Sequence, residues 1–334
     1  MKILLTGAFG NVGENALIKL LEKKYVVTCF DIQNERNEKK AKELQKEYGK
    51  FDVAWGDITD LNSVKETVKD FDCVIHLAAI IPPMSESKPE LAQKVNVGGT
   101  KNLIDTIMEL EKKPRFIFTS SISTHGPCMH TPPPRKADED LNPTDNYTHH
   151  KVACEKMIRD ATSGGLPWII FRLNASVPVM DSLSLDQLDL AKVMFDMPLE
   201  QRIEFTSSHD VGTALANAVT ADAVHKTLLI GGGKRCQMLN REFMKGMFET
   251  FGIGMIDELA FKIPKNDDEW FYTDWADTEE SQRLLQYQNT SFEDHLNQIK
   301  ENIGFKRNLI RLVAPMARWF LRKQSPYYKE NKQN

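Results

Sequence analysis

Long apolar runs, paired cysteines and a marked excess of either charge are all missing from this 334-residue sequence. No stretch approaches the roughly 20 consecutive apolar residues of a membrane-spanning helix. The opening MKILLTGAFG carries one lysine, and its apolar run stops at Thr6 and Gly7, too soon for the core of a secretory signal. The five cysteines, Cys29, Cys73, Cys128, Cys154 and Cys236, are odd in number and show no CxxC or Cys/His ligand spacing. They read as free thiols in a reducing compartment, with neither a disulfide framework nor a metal centre. A cytoplasmic location is the expectation. Against 47 acidic residues stand 43 basic ones, a formal charge of −4, so nothing in the overall balance recruits nucleic acid. Internal repeats and low-complexity segments are absent too.

What the sequence does have is an alternation of periods. Short apolar runs (KILLT, YVVTCFD, FDVAWGD, DCVIHLAA) alternate with helical spacing (NALIKLLEK, KKAKELQKEY, LNSVKETVKD), and RFIFTSS and WIIFRL continue the series. Strands joined through helices imply a parallel sheet buried on both faces. The expected fold class is α/β, a Rossmann-type doubly wound sheet over residues 1–173. A smaller mixed lobe follows over 174–304, some of whose segments can return to the sheet, and then a basic tail over 305–334. In that lobe the strand TLLIGGG reads as isolated.

The first strand runs into Gly7, Gly10 and Gly13, and a helix starts at Asn11. In a βαβ unit such a turn lets the main chain approach a pyrophosphate, whose charge is met by helix N-terminal amides. Gly7, Phe9, Gly10, Asn11, Val12 and Gly13 are the candidate contacts. Asp31 ends the second strand, placed to accept hydrogen bonds from an adenosine ribose, with Ile32 beside it. A carboxylate there repels a 2′-phosphate, and no arginine directly follows it. The expected cofactor is NAD.

The ordered motifs TGAFGNVG (6–13), GDITD (56–60), HLAA (76–79), VNVGGTKNL (95–103), FTSSISTHG (118–126) and YTHHK (147–151) together resemble the extended short-chain dehydrogenase/reductase family, of the NAD-dependent epimerase/dehydratase type. The resemblance covers about residues 1–300. It implies that Asp57 and Ile58 lie beside the adenine, that Leu77, Ala78 and Ala79 line the cofactor cleft, and that Asn96 orders the central helix. Thr119 joins the cofactor candidates. The resemblance also implies a homodimer built from helices near 88–110 and 145–162.

Residue chemistry points the same way. Tyr147 and Lys151 are four apart on a helix expected to be capped by Thr144 or Asp145, so they share a face. A free phenol is a poor base near neutral pH, and a neighbouring ammonium lowers its pKa. Ser121 ends the fifth strand at the carboxyl edge, where doubly wound folds place ligands. The assignment is Tyr147 as general acid/base, Lys151 as modulator and cofactor anchor, and Ser121 as hydroxyl donor to the substrate oxygen.

The sequence also departs from the family. Ile122 and Ser123 stand where sugar-nucleotide dehydratases carry Asp-Glu, and His125 stands where many epimerases have Tyr. Asn174 lies two residues after Arg172, where those enzymes space an Asn by three. Arg202 resembles an arginine that grips a substrate diphosphate, but it is one residue further from Asp210, which reads as a helix cap. Ile81, Ser123, His125, Asn174 and Arg202 are the substrate-side candidates, for a small molecule and, as one option, a nucleotide-sugar. His149 and His150 read as partly solvated helix residues. The resulting expectation is an NAD-dependent oxidoreductase acting on a secondary alcohol or ketone. A nucleotide-sugar 4-epimerase is one alternative and a non-catalytic NAD-binding redox sensor is the other. The intact Tyr/Lys/Ser set speaks against the sensor.

The tail NLIRLVAPMARWFLRK reads as a basic amphipathic helix interrupted at Pro315. Docking on the protein's own surface or on a partner subunit is the usual fate of such a segment, and an anionic membrane is the other.

Overall fold

The computed structural model describes residues 1–177 and 194–333. Strands β1 (Lys2–Thr6), β2 (Val26–Asp31), β3 (Asp52–Trp55), β4 (Cys73–His76), β5 (Arg115–Ser121), β6 (Trp168–Leu173), β7 (Ala175–Val177), β8 (Arg202–Ser207), β9 (Lys226–Ile230) and β10 (Gln237–Leu239) build two sheets. The larger is seven-stranded and parallel, in the order β3-β2-β1-β4-β5-β6-β9. The smaller pairs β10, β8 and β7. The helices used below are α1 (Asn11–Glu22), α2 (Glu35–Tyr48), α3 (Leu61–Thr67), α4 (Thr100–Glu109), α5 (Asn146–Asp160), α6 (Ser208–Ala218), α7 (Asn240–Phe251), α8 (Phe292–Ile303) and α9 (Lys306–Gln324).

Side chains alternate across a strand, so β1 sends Ile3 and Leu5 to one face and Leu4 to the other. The first face packs under α1, α2 and α6 through Leu17, Leu20, Ala41, Val211 and Leu215. The second packs under α3, α4 and α5 through Val64, Leu103, Ile107 and Ile158. A third apolar cluster, with Phe205, Phe243, Phe248, Phe261 and Ile299, lies in the lobe. The doubly wound α/β reading therefore holds.

Several expectations beyond the sheet need correction. TLLIGGG is not isolated: β9 is the seventh strand of the main sheet, pairing in parallel with β6. The helix before it, α6, crosses α1 so closely that a Cβ on Gly212 would stand 2.5 Å from the Asn15 carbonyl oxygen. Residues 208–230 thus return to the first unit. Asp210 does not cap α6. Ser207 does, and Asp210 instead holds the amides of Asn289 and Thr290 at 3.1 and 2.9 Å. Nor does Pro315 interrupt the tail. Helix α9 runs unbroken through it, because Ile310 and Ala314 on one side and Ala317 and Leu321 on the other are all held against the lobe.

Candidate active site

The carboxyl ends of β1, β2, β4, β5 and β6 open on one edge, with Thr6, Asp31, His76, Ser121 and Leu173 as their last residues. Two of the three glycines in the first turn are demanded by the fold itself. Gly7 has φ +66° and no room for a Cβ, which would lie 2.7 Å from the Ala78 amide nitrogen. A Cβ on Gly13 would collide with the Gly7 carbonyl. Gly10 differs: it is extended, and its Cβ would meet only the Gly7 oxygen, at 3.5 Å. It precedes α1 as an N-cap without a side-chain hydrogen bond, so the first-turn amides face outward uncapped. A small residue where packing asks for none, beside bare amides, fits the close approach of an anionic group.

Asp31 lies beside this turn. Its carboxylate accepts from the Phe9 amide at 3.1 Å, the Ile32 amide at 2.9 Å and the Asn37 side chain at 3.3 Å. Burial raises its pKa, and the Phe9 and Ile32 amides offset this only in part. Phe9 contributes its amide while its ring is buried against Trp55. Ile32 is exposed beside the carboxylate. The Asp57 side chain turns back on the Thr59 amide, and Ile58 is buried against Gly99. The Leu77 and Ala78 amides both donate to the Thr6 hydroxyl, which keeps the end of β4 against the glycine turn. Asn96 clamps the main chain of Ile80 from both sides, at 2.7 and 2.9 Å. It therefore fixes the loop that continues through Ala79 to the exposed Ile81 as much as its own helix.

Helix α5 presents the acid/base candidates. Asp145 caps it, accepting from the Thr148 amide at 2.7 Å in a reciprocal capping box. Lys151 is buried, donates to the Thr119 carbonyl at 2.7 Å and sits 5.5 Å from the centre of the Tyr147 ring. Burial lowers its pKa to about 8. The Tyr147 phenol is pushed upward, by burial first and then by the Asp145 charge, with the Ser121 hydroxyl pulling the other way. The expected lowering is thus outweighed in the free protein, where desolvation dominates and the Lys151 ammonium is turned to the Thr119 carbonyl. Ser121 is the partly exposed member of its serine group. It accepts from the Ser123 hydroxyl at 2.7 Å, whereas Ser120 and Ser123 are buried.

The substrate-side candidates separate from this cluster. The His125 ring is enclosed between the carbonyls of Ile122 and Lys136, and burial lowers its pKa. Asn174 donates to the Asp274 carbonyl at 3.0 Å. Arg202 reaches the Asp274 carboxylate at 2.6 and 2.8 Å and the carbonyls of Cys128, Met129 and Thr131, which engages all three of its guanidinium nitrogens. Arg135 shares the same carboxylate at 3.2 Å. His150 is buried against Asn96 at 3.4 Å, not partly solvated, while His149 is exposed as expected.

Five contributors lay outside the sequence reading. The Glu86 carboxylate receives the main-chain amides of Asn146 and Tyr147, each at 3.3 Å, and the Asn146 side chain at 2.9 Å. It holds the first turn of α5 from sixty residues away. His76 is buried between the hydroxyls of Thr6 and Thr100, at 2.8 and 2.9 Å, and burial drives its pKa to about 3. Phe271 and Tyr272 stack with ring centres 4.2 Å apart. Tyr272 is near enough to Asp145, Glu86 and Tyr147 for their charges, after burial, to raise its pKa and disfavour ionisation. Gln201 fixes this aromatic segment, accepting from the Phe271 amide at 2.8 Å and donating to the Thr273 carbonyl at 2.7 Å. Only the run of aromatics in EWFYTDW marked it in the sequence.

A nucleotide-binding α/β fold with a Ser/Tyr/Lys group at its carboxyl edge defines a dinucleotide-dependent class. The model of the NAD dependent epimerase/dehydratase family matches residues 3–176, slightly over half of the chain, and the protein belongs to that family. Among curated relatives, D-erythronate dehydrogenase of Cupriavidus necator is 32% identical over 114 residues, 34% of this chain and 35% of that protein. The 3 beta-hydroxysteroid dehydrogenase/Delta 5-->4-isomerase of Mycobacterium tuberculosis is 33% identical over 166 residues, 47% of this chain and 42% of the other. The chain therefore spans less than half the length of these two relatives. Among solved structures, UDP-glucuronic acid 4-epimerase from Bacillus cereus, in complex with UDP-glucuronic acid and NAD, superposes with a TM-score of 0.72 at 21% identity, covering 91% of this chain and 99% of that one. That likeness is one of fold.

Proposed function

We propose that the protein interconverts a secondary alcohol and its ketone with NAD as redox partner. The observation that carries the reading is the meeting of Ser121, Tyr147 and Lys151 on the edge that also bears the uncapped N-terminus of α1. NAD, when bound, supplies the hydride acceptor. The Gly10 turn and the α1 amides would hold its pyrophosphate, and Asp31 its adenosine ribose. Ser121 donates to the substrate oxygen, and Tyr147 takes or returns the hydroxyl proton. Lys151 positions the cofactor and lends positive charge to the phenolate once it forms. Asp31 favours NAD over its 2′-phosphorylated form. The reading extends to a homodimer paired through the helices near 88–110 and 145–162, which sedimentation would test.

The nucleotide-sugar 4-epimerase reading is the weaker one, because the arginine that a diphosphate would engage is already paired with Asp274. Stacked aromatics near Tyr147 suit a neutral substrate better than a diphosphate. Tyr147→Phe tests the mechanism: NADH affinity stays within about twofold while turnover falls at least about 100-fold. Wild-type epimerisation of UDP-glucose would move the assignment to the second reading.

A further inference from the structure

We propose that α9 docks the protein onto an anionic membrane surface. The helix has three faces. Ile310, Ala314, Ala317 and Leu321 pack on the lobe. Arg307 and Arg318 donate to the carbonyls of Glu249, Thr250 and Ile253 at and just beyond the end of α7, and so pin the helix in place. The third face has no partner among the described residues, and it is apolar. Phe305 just before the helix, then Leu309, Leu312, Val313, Met316, Trp319 and Phe320, recur at helical spacing and are all exposed, Leu312 to 80% and Met316 to 66%. A stripe of six large apolar side chains on one helix, extended by Phe305 at its start, is more than scattered surface hydrophobicity.

Charge selects the occupant. From Lys306 to Gln324 the helix carries Lys306, Arg307, Arg311, Arg318, Arg322 and Lys323 and no acidic residue. A two-fold contact with a second copy would set this face against itself, bringing the cations not tied to the lobe, Lys323 over Trp319 among them, against their own copies with no acidic residue on the helix to answer them. A layer of anionic headgroups answers the cations not tied to the lobe, Lys306, Arg311 and Lys323, and accepts the apolar stripe beneath. Lys323 lies 4.0 Å over the Trp319 ring, so cation and indole sit together where headgroup meets acyl chain. No helix among the described residues is long and apolar enough to cross a membrane, so α9 lies in the surface plane. The overall charge of −4 opposes long-range attraction, but headgroup contact acts within a Debye length, where the local cations dominate.

The test is flotation of the full chain with vesicles of phosphatidylcholine alone and of an equimolar mixture with phosphatidylglycerol. The expected result is binding to the mixed vesicles, weakened by salt and reduced at least about tenfold in Leu312→Glu/Met316→Glu. Both side chains are exposed, so the double variant keeps the fold, and unchanged NADH binding checks it. Wild-type protein that ignores both vesicle types overturns the proposal. So does a dimer in solution that the double variant dissociates, since a second copy then covers the stripe.

Discussion

The Lys151 ammonium donates to the Thr119 main-chain oxygen at 2.7 Å while lying 5.5 Å from the centre of the Tyr147 ring. One side chain thus ties α5 to β5 and places a titratable cation beside the phenol. Its folded pKa of about 8 lies below the ordinary 10.5, so between those values the unfolded chain holds a proton that the native protein has released. This group therefore makes stability rise with pH across that window. The unfolding free energy of Lys151→Met minus that of wild type is expected to be greatest below pH 8 and to shrink by about 3 kcal/mol toward pH 10.5. Urea titrations at stepped pH measure it, and a pH-independent difference would refute the shift.

The glycine turn yields a graded prediction. Gly10→Ala leaves stability within about 0.5 kcal/mol of wild type, since its Cβ meets only ordinary contact. NADH affinity nonetheless drops, because the methyl group enters the space of the approaching pyrophosphate. Gly7→Ala and Gly13→Ala destabilise the fold itself by several kcal/mol, of order 3. Calorimetric binding and thermal melts separate the two behaviours.

His295 sits in the lobe core, fully buried, its ring centre 4.5 Å from that of Phe205, and neither nitrogen finds a hydrogen-bond partner among the described residues. Burial lowers its pKa to about 4. The unfolded chain binds the proton first as pH falls below the ordinary 6.5, so stability is lost between there and pH 4. His295→Phe should gain about 1 kcal/mol at neutral pH and flatten part of that acid loss. A melting series from neutral to pH 4 would detect either failure.

Asp274 neutralises Arg202 and Arg135 together. Asp274→Asn is expected to cost about 3 kcal/mol, because two guanidinium groups lose a buried counter-charge. In exchange the variant, unlike wild type, should gain thermal stability from added UDP. If wild type responds equally, the pairing does not bar a diphosphate.

Local order made half of this molecule legible. Strand and helix periods, the glycine turn, Asp31 and the Tyr147/Lys151 pair all depend on residues close in the chain, and Asp145 capped α5 as its side chain allows. What escaped the sequence is long-range. Glu86 gains meaning only when Asn146 folds over it, and the engagement of Arg202 required Asp274, 72 residues on. His150 reads as solvated until Asn96 reaches it. Pro315 looked like a break because the packing that holds α9 straight on either side lies in another part of the lobe.

The placement of β9 bears on how the chain is assembled. Until β9 pairs with β6, and α6 covers α1, the growing sheet carries an open edge and a bare apolar flank. Closing them brings together residues far apart in the chain, a slow, high-contact-order step. The stretch that the family model matches, ending at residue 176, is then no autonomous folding unit. Synthesised alone, it would be released with β6 as an exposed, apolar edge strand, and aggregation rather than a minimal cofactor-binding module is its expected fate.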